Sequence, residues 1–282
     1  MALSRFLPSD FDASAPIAVI AGQRQYPVLT VERLRAAGLP VRLVAFEGET
    51  RTELYESFPA SERAMVKVGQ VGHLLKALKK FGVRHSLMVG QVTPRRLFDG
   101  LHPDLKAVTL LARLKERNAE SIFGALADEM LKIGCKLLDA RAFLDDQMAG
   151  SGLLAPGKFQ PDAETLDHGI RICREMARLH VGQGVVVNRG TVLAVEAFEG
   201  TDAMLQRAGS FGAKEPFFIK TVKPKQDYRF DVPVFGEQTL NVMHEAGIRA
   251  AALEADNVLI LDKQKVLGEA RRLGVAIIGF SV

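Results

Sequence analysis

The chain has 282 residues, 48% of them hydrophobic and 25% charged, which is the composition of a globular protein with a sizeable core. Its formal net charge of +4, with both signs interspersed, argues against a dedicated nucleic-acid-binding protein and suits a phosphorylated small molecule or an anionic lipid surface as partner. The two cysteines, Cys135 and Cys173, form neither a disulfide framework nor a metal-ligand pattern, and they favour a protein of the reducing cytosol.

Strands alternate with helices through the first half of the chain. The expected strands are 17–22, 41–46, 65–69 and 85–92. The expected helices are 27–38, 70–82, 103–114 and 119–133. Such alternation predicts a parallel sheet that helices cover on both faces, and therefore an N-terminal Rossmann-like α/β domain over residues 1–145.

The second half, residues 146–282, combines helices with hairpins and predicts a C-terminal mixed α/β domain. It begins with a predicted loop at 150–161, which is rich in glycine and proline. The expected helices are 162–179, 202–208, 237–247 and 263–273. The expected strands are 217–222 and 275–280, together with hairpins at 184–197, turning at Asn188-Arg189-Gly190, and at 251–262, turning at Asp256-Asn257.

Two stretches at predicted strand ends could hold an anion. The first, "IAGQRQYP" (20–27), places Gly22 between a strand and a helix start, where backbone N–H groups can bind phosphate. It is not a dinucleotide fingerprint, because Arg24 and Pro27 occupy the glycine positions, and a plain turn explains it equally well. The second, "GQVTPRR" (90–96), is either an anion site at the carboxyl edge of the sheet or a solvated loop.

Three carboxylates crowd into "VEAFEGTD" (195–202). Thr201 as N-cap and Asp202 in the first turn would explain two of its polar residues as helix-start chemistry. Glu196 and Glu199 remain, and like charges held close together favour a divalent cation or a cationic side chain between them. The six histidines show no metal-ligand spacing, and no Walker A, zinc or G-x-S-x-G motif is present.

The stretch "KPKQDYRFDVP" (223–233) carries a charge at every odd position from 223 to 231. Alternation predicts an extended edge segment with these charges on one face and with Tyr228 and Phe230 directed into a core. The charged face is either an amphipathic edge, with Arg229 between Asp227 and Asp231, or a surface that binds phosphate and metal.

Three stretches, "VGQGVVV" (181–187), "LAVEAFEGTDAML" (193–205) and "VKPKQDYRFDVPVFG" (222–236), resemble the LpxI-type UDP-2,3-diacylglucosamine pyrophosphatases of lipid A biosynthesis. The resemblance implies Mg²⁺-dependent (or Mn²⁺-dependent) hydrolysis of UDP-2,3-diacylglucosamine to 2,3-diacylglucosamine 1-phosphate and UMP, with the ligand held between two α/β domains. Arg24 stands where that family usually has glycine, and "NAE" (118–120) replaces its G-D-D. These departures leave open a hydrolase of another nucleotide sugar or a binding protein without catalysis.

The resemblance also implies roles for individual residues. The implied catalytic carboxylates are Asp231 and Asp227. The implied metal ligands are Glu196, Glu199, Asp202 and Asp231. The implied substrate-binding residues are Gly22, Gln91, Thr93, Arg95, Gln183, Thr201, Lys223, Gln226 and Arg229.

The surroundings of the protein are expected to follow from the same features. The first twenty residues lack a long apolar run, so no secretory signal is expected, and no apolar stretch is long enough to span a bilayer. A lipid substrate and a mildly basic surface predict a cytoplasmic protein with peripheral, salt-sensitive contact to the inner membrane. A homodimer is expected because most oligomers are symmetric homo-oligomers.

Overall fold

The structure is a computed structural model that describes residues 3–92, 103–116 and 119–282. The chain divides into two compact units. The first comprises the chain up to Asp145 together with the short segment Asp227–Asp231, and the second comprises Asp146–Gln226 and Val232–Val282. Five residues from the C-terminal half therefore belong to the N-terminal unit.

The first unit is a parallel α/β sheet. Its strands are β1 (Ile17–Ala21), β2 (Val41–Phe46), β3 (Arg63–Val66), β4 (His85–Val89) and β5 (Lys136–Leu137). Its described helices are α1 (Tyr26–Ala36), α2 (Thr52–Glu56), α3 (Val71–Phe81), α4 (Leu105–Arg113) and α5 (Ala119–Lys132). The strand order is β3-β2-β1-β4-β5 and every pairing is parallel, which confirms the Rossmann-like prediction. Among the described elements of this unit, the short α2 and β5 were not expected from the sequence.

The second unit is built on a mixed sheet. Its strands are β6 (Gly152–Ala155), β7 (Gly184–Asn188), β8 (Thr191–Val195), β9 (Phe217–Lys220), β10 (Val234–Phe235), β11 (Ala250–Glu254), β12 (Leu259–Ile260) and β13 (Ala276–Phe280). Its helices are α6 (Ala163–Arg178), α7 (Thr201–Gly209), α8 (Glu237–Glu245) and α9 (Lys263–Leu273). The main sheet has the order β6-β13-β11-β9-β7-β8, in which β9, β11 and β13 are parallel and β6 and β7 run the other way.

Both faces of this second sheet are buried. Along β9, Phe218 belongs to one hydrophobic cluster, while Phe217 and Ile219 belong to another, as the alternation of strand side chains requires. The mixed α/β prediction for the C-terminal half is therefore confirmed. None of the helices among the described residues is long and apolar enough to cross a membrane.

The hairpin predicted at Asn188-Arg189-Gly190 is confirmed. Strands β7 and β8 pair antiparallel and close with Asn188 opposite Thr191. The two residues between them, Arg189 and Gly190, have φ of 47° and 79°. Positive φ at both central positions matches the twist of the flanking strands, which is why this turn type closes short hairpins.

The hairpin predicted at Asp256-Asn257 is wrong. The chain does turn there, with Asp256 at φ 60°, but β11 pairs in parallel with β9 and β13, and β12 pairs in parallel with β10. The predicted loop at 150–161 is also wrong in part, since it contains β6, which pairs antiparallel with β13.

The extended edge segment predicted for 223–231 is wrong over Asp227–Asp231 as well. The backbone N–H groups of Phe230 and Asp231 donate to the carbonyl of Asp227, at 3.4 and 3.1 Å, so the chain forms a turn. The Asp227 side chain also accepts the backbone N–H of Arg229 at 3.1 Å, and such local hydrogen bonds compete with a strand ladder. Phe230 still reaches a core, because it packs on the hydrophobic cluster of the first unit, whereas the Tyr228 ring lies against the Arg141 guanidinium.

Candidate functional site

The backbone segments that follow β1 and β4 pack closely against each other. The N–H of Gly22 donates to the carbonyl of Val89 at 2.8 Å, and the N–H of Gln23 donates to the carbonyl of Gln91 at 2.7 Å. A Cβ at position 22 would lie 2.5 Å from the Gln91 oxygen, so only glycine fits there. The structure thus brings Gly22 and Gln91 together, and their role in substrate binding stays a prediction. Thr93 and Arg95 lie outside the described residues.

Replacing Gly22 by alanine is expected to lower the free energy of unfolding by about 2 kcal/mol, because the added methyl group forces the two strand ends apart. The matched control is Gly124→Ala in α5, where a Cβ meets open space. That change should raise stability by up to about 1 kcal/mol through helix propensity. Urea denaturation measures both variants, and equal stabilities would contradict the packing argument.

In the loop after β1, Arg24 has a backbone conformation that is usual for glycine. Arg24 has a φ of 70°, in the left-handed region that L-residues other than glycine seldom occupy. Beside it, Gln23 donates from Nε2 to the Glu49 carboxylate at 2.7 Å, and Glu49 is buried. Arg24 therefore occupies a backbone conformation that glycine adopts more readily.

In the second unit, three strands deliver charged side chains to one edge of the sheet. Strand β8 is antiparallel to β7, which is antiparallel to β9, so β8, β9 and β11 share one direction. Glu196 follows β8, Lys220 ends β9 and Glu254 ends β11. Ligands of α/β sheets collect outside the carboxyl ends of parallel strands, and this edge is therefore the candidate site of the second unit.

A buried lysine forms the centre of this edge. Lys220 Nζ donates to Thr201 Oγ1 at 3.2 Å and lies 3.8 Å from Glu196 Oε2. The Thr201 hydroxyl in turn donates to Glu196 Oε1 at 2.5 Å. Only 7% of the Lys220 side chain and 14% of the Glu196 side chain are exposed. Glu196 Oε2 is buried and accepts no hydrogen bond from the described residues.

Thr201 does not have the N-cap role that the sequence suggested. Gly200, at φ 80°, is the N-cap residue, and Thr201 is the first residue of α7. Its hydroxyl is consequently available to join Glu196 to Lys220. The glycines of "VGQG" make room for the same glutamate, because a Cβ on Gly184 would lie 2.6 Å from Glu196 Oε2 and one on Gly182 would lie 2.0 Å from its carbonyl oxygen.

A second buried carboxylate fixes the chain that leaves β9. Glu254 Oε2 accepts hydrogen bonds from the Thr221 hydroxyl and from the Val222 N–H, the latter at 3.2 Å. Its Oε1 accepts from Asn257 Nδ2 at 2.7 Å. Glu254 thereby holds the backbone directly after Lys220 and restrains the position of that lysine.

Three of the predicted substrate-binding residues lie together beside this chain. Gln183 Nε2 donates to Gln226 Oε1 at 3.3 Å, and the Lys223 N–H donates to the same oxygen at 3.2 Å. The Gln183 carbonyl accepts the Thr221 N–H at 3.0 Å. Beneath them, the Cys173 thiol contacts the carbonyl of Gln183, and burial raises its pKa to about 12, so it is not a nucleophile.

The other carboxylates of the predicted metal set have partners of their own. Glu199 accepts a hydrogen bond from Arg207 Nη2 at 2.5 Å, and that guanidinium holds the pKa of Glu199 below its usual range. Asp202 accepts Gln238 Nε2 at 2.6 Å. In the described ranges, no group of three or more His, Cys, Asp or Glu side chains is placed to hold a metal ion. A metal site therefore stays a prediction.

In the first unit, Asp227 and Arg229 form a two-point ion pair. Arg229 donates from Nε to Asp227 Oδ1 at 2.9 Å and from Nη2 to Oδ2 at 2.6 Å, and this guanidinium keeps the pKa of Asp227 low. Asp227 therefore orients Arg229 here. The Asp231 side chain, at the end of the same turn, is partly buried. The catalytic roles of both aspartates stay predictions.

The segment Asp227–Asp231 is attached to a second turn of the same kind. Arg141 donates from Nη2 to Asp139 at 2.7 Å, and its guanidinium lies 3.4 Å from the centre of the Tyr228 ring. The Tyr228 carbonyl accepts the N–H of Ala140 at 2.8 Å. Backbone bonding and cation–π stacking together hold this segment on the first unit.

Sequence reasoning missed Lys220 and Glu254. Each is a charged residue at the end of an otherwise apolar strand, "FFIK" and "AAALE", and a charge at the end of a fully buried run is the signal that could have identified them. A cavity of about 1030 Å³ near the start of α6, lined in part by His168, Arg171 and Arg189, contains none of the predicted site residues.

Comparison with known proteins covers both units. Family models described as the LpxI N-terminal domain and the LpxI C-terminal domain match residues 16–147 and 151–278. Over 277 residues the chain is 30% identical to the UDP-2,3-diacylglucosamine pyrophosphatase LpxI of Caulobacter vibrioides, and the match spans 93% of this chain and 96% of that protein. Because the two family models and this relative match nearly the whole chain, the chain belongs to the LpxI family.

Proposed function

We propose that this protein is a hydrolase that cleaves the pyrophosphate of UDP-2,3-diacylglucosamine to 2,3-diacylglucosamine 1-phosphate and UMP in lipid A biosynthesis. The observation that carries the proposal is the similarity to the Caulobacter vibrioides pyrophosphatase over 96% of its length. In the reaction a water oxygen forms a bond to one phosphorus and the bridging P–O bond breaks. Each product then leaves as a phosphate monoester.

The buried cation of the second unit suits this chemistry. A pyrophosphate carries negative charge on its non-bridging oxygens, and that charge is stabilised by fixed positive groups where water is excluded. Lys220 is such a group, because Thr201 and Glu196 hold its ammonium at the carboxyl edge of the sheet. In this proposal Lys220 binds the phosphates, and Gln183, Lys223 and Gln226 orient the rest of the polar substrate.

For the turn of the first unit we propose roles that are argued from that unit alone. Asp227 fixes the guanidinium of Arg229 through two hydrogen bonds, so the cation is held ready to bind a phosphate oxygen. Asp231 takes the proton of the attacking water in this proposal. A carboxylate serves as such a base when it is held within hydrogen-bonding reach of the water.

A magnesium ion is part of the proposal. Mg²⁺ is usually held by one or two carboxylates together with substrate phosphates, rather than by a cage of protein ligands. Glu196 fits that mode because its buried Oε2 accepts no hydrogen bond from the described residues. The ion would have to share this oxygen with Lys220, whose Nζ lies 3.8 Å away. Glu199 and Asp202 would have to exchange Arg207 and Gln238 for the ion. When bound, Mg²⁺ neutralises charge on the phosphates.

Chelation tests the metal. EDTA is expected to abolish release of UMP, and Mg²⁺ or Mn²⁺ in excess is expected to restore it, because carboxylate oxygens suit a hard cation. Chromatography of UMP measures the rate, and an enzyme sample carried through the same buffer exchange without EDTA is the control. Full activity after exhaustive chelation would show that no metal is needed.

Substrate comparison tests the reaction itself. We expect equal amounts of UMP and 2,3-diacylglucosamine 1-phosphate from the diacylated substrate, and little cleavage of UDP-N-acetylglucosamine, which lacks the acyl chains. Preferential cleavage of the non-acylated compound would indicate a hydrolase of another nucleotide sugar. Binding of the diacylated compound without turnover would indicate a binding protein.

A further inference from the structure

Helix α4 is apolar on two opposite sides. Its inner side is buried through Ala107 and Leu110. Its outer side carries Leu105, which is 83% exposed, Val108, which is 48% exposed, and, one turn on, the exposed Ala112. Helix geometry places the last three on one stripe that faces away from the buried side. A helix with apolar residues on both sides is expected where something other than water covers its outer side.

Cations flank this α4 stripe, defined as Leu105, Val108 and Ala112. Lys106 and Arg113 border it on the helix, and Lys115 follows the helix end. Lys106 pairs with Glu129 at 2.5 Å, whereas Arg113 and Lys115 have no ion pair with any residue that the structure describes.

The surroundings of the stripe reinforce its positive character. The neighbouring helix α3 exposes Lys76, Lys79 and Lys80. Of the nearby acids, Asp104 is directed inward, since it accepts the backbone N–H groups of Ala107 and of Gly72, and Glu129 is shared by Lys106 and Lys132. Glu116, next to Lys115, is exposed. The surface therefore combines an apolar stripe with a net excess of cations.

We propose that the α4 stripe lies on the surface of a bilayer that contains anionic lipids. Apolar side chains flanked by lysine and arginine are the pattern of helices that lie in the membrane interface, where the cations meet the headgroups. A second copy of the chain fits less well. Three residues fall far short of the roughly 800 Å² that each partner buries in a stable dimer. Two copies would also bring their cations face to face.

This inference deepens the proposed function, because membrane contact is useful to the enzyme only if its substrate is a lipid; in that respect it rests on the proposed function. A substrate with two acyl chains lies in a bilayer, and an interfacial helix would hold the enzyme where that substrate is found. The α4 stripe supplies contact to the membrane surface as a whole and has no part in the chemistry. Its loss should consequently leave the hydrolysis of detergent-dispersed substrate unchanged.

Sedimentation with vesicles tests the stripe directly. The intact protein is mixed with vesicles of phosphatidylcholine alone or with about one-third phosphatidylglycerol. We expect binding to the anionic vesicles that weakens with salt. The affinity of the variant Leu105→Gln/Val108→Gln for the anionic vesicles should be at least about tenfold lower, which corresponds to a difference of about 1.4 kcal/mol. The matched control is Leu153→Gln/Leu179→Gln, which also replaces two exposed apolar side chains by glutamine, in the second unit, and should bind like the parent.

Several results would overturn the proposal. One is a parent protein that does not bind anionic vesicles, and another is equal binding by the α4 variant. A parent that sediments as a dimer alongside a monomeric α4 variant would instead make the stripe a dimer interface. The vesicles contain no substrate, so failure to hydrolyse UDP-2,3-diacylglucosamine would overturn the proposed function and leave the binding result standing.

Discussion

Replacing Asp231 by alanine is expected to lower the rate of UMP release about a hundredfold or more. If the carboxylate takes the proton of the attacking water, its loss removes an interaction made in the transition state and leaves most ground-state binding intact. The fold should survive, because the turn at Asp231 is held by its backbone N–H on the Asp227 carbonyl. Steady-state kinetics should therefore show a large fall in kcat with little change in KM.

Tyr228→Ala is the control for this turn. The Tyr228 ring stacks on the Arg141 guanidinium at 3.4 Å, so its loss should lower stability and leave the turnover of the remaining folded protein largely intact. Asp227→Ala is expected to act more mildly than Asp231→Ala, through a misplaced Arg229. Near-full turnover of the Asp231 variant at saturating substrate and Mg²⁺ would contradict a catalytic role for this carboxylate.

Replacing Lys220 by methionine is expected to affect both stability and turnover. The change keeps the length of the side chain and removes the charge next to the buried Glu196, and an ion left without its buried partner costs about 3 kcal/mol. Turnover should fall by about a hundredfold as well, because the cation proposed to bind the phosphates is gone. Urea denaturation and UMP release measure the two effects separately.

A double variant separates the structural role of Lys220 from the catalytic one. Glu196→Gln/Lys220→Met removes both charges and should recover much of the lost stability while turnover stays low. The exposed Lys214 provides the matched control, since Lys214→Met should change stability by no more than about 0.5 kcal/mol. Recovery of turnover in the double variant would contradict both the phosphate-binding role of Lys220 and the metal-ligand role of Glu196.

Much of the fold could be predicted because its signals are local. Strand β2 begins and ends where the sequence suggested, since an apolar run interrupted only by Arg42 identifies a largely buried strand. The β7–β8 hairpin was identified from Asn188-Arg189-Gly190, whose backbone preferences fix the turn without help from the rest of the chain.

The failures arose where distant parts of the chain decide the structure. The turn at Asp256 resembles a hairpin turn, but the strand partners of β11 come from residues 217–220 and 276–280, which no local signal reveals. In 223–231 the alternation of charges predicted an extended backbone. The Asp227 side chain instead accepts the backbone N–H of Arg229, and this local hydrogen bond favours a turn.

The candidate site was identified only in part. The motif around Glu196 and Thr201 was found, but its cationic partner Lys220 was overlooked. Glu196 follows β8 and Lys220 ends β9, and these strands are brought near each other only because both pair with β7. The grouping of Gln183 with Gln226 likewise depends on the sheet that brings them together.

The membership of Asp227–Asp231 in the first unit has a consequence for synthesis of the protein. A ribosome completes residues up to Asp145 and must then add roughly eighty more before this segment exists. At about 5–20 residues per second, the delay is on the order of 4–16 s. During that time the nascent N-terminal unit lacks Tyr228 and Phe230, so the surfaces of Arg141 and Phe123 that they later cover are open to chaperones. A gene fragment that ends at Asp145 would keep those surfaces exposed permanently and should yield an aggregation-prone product.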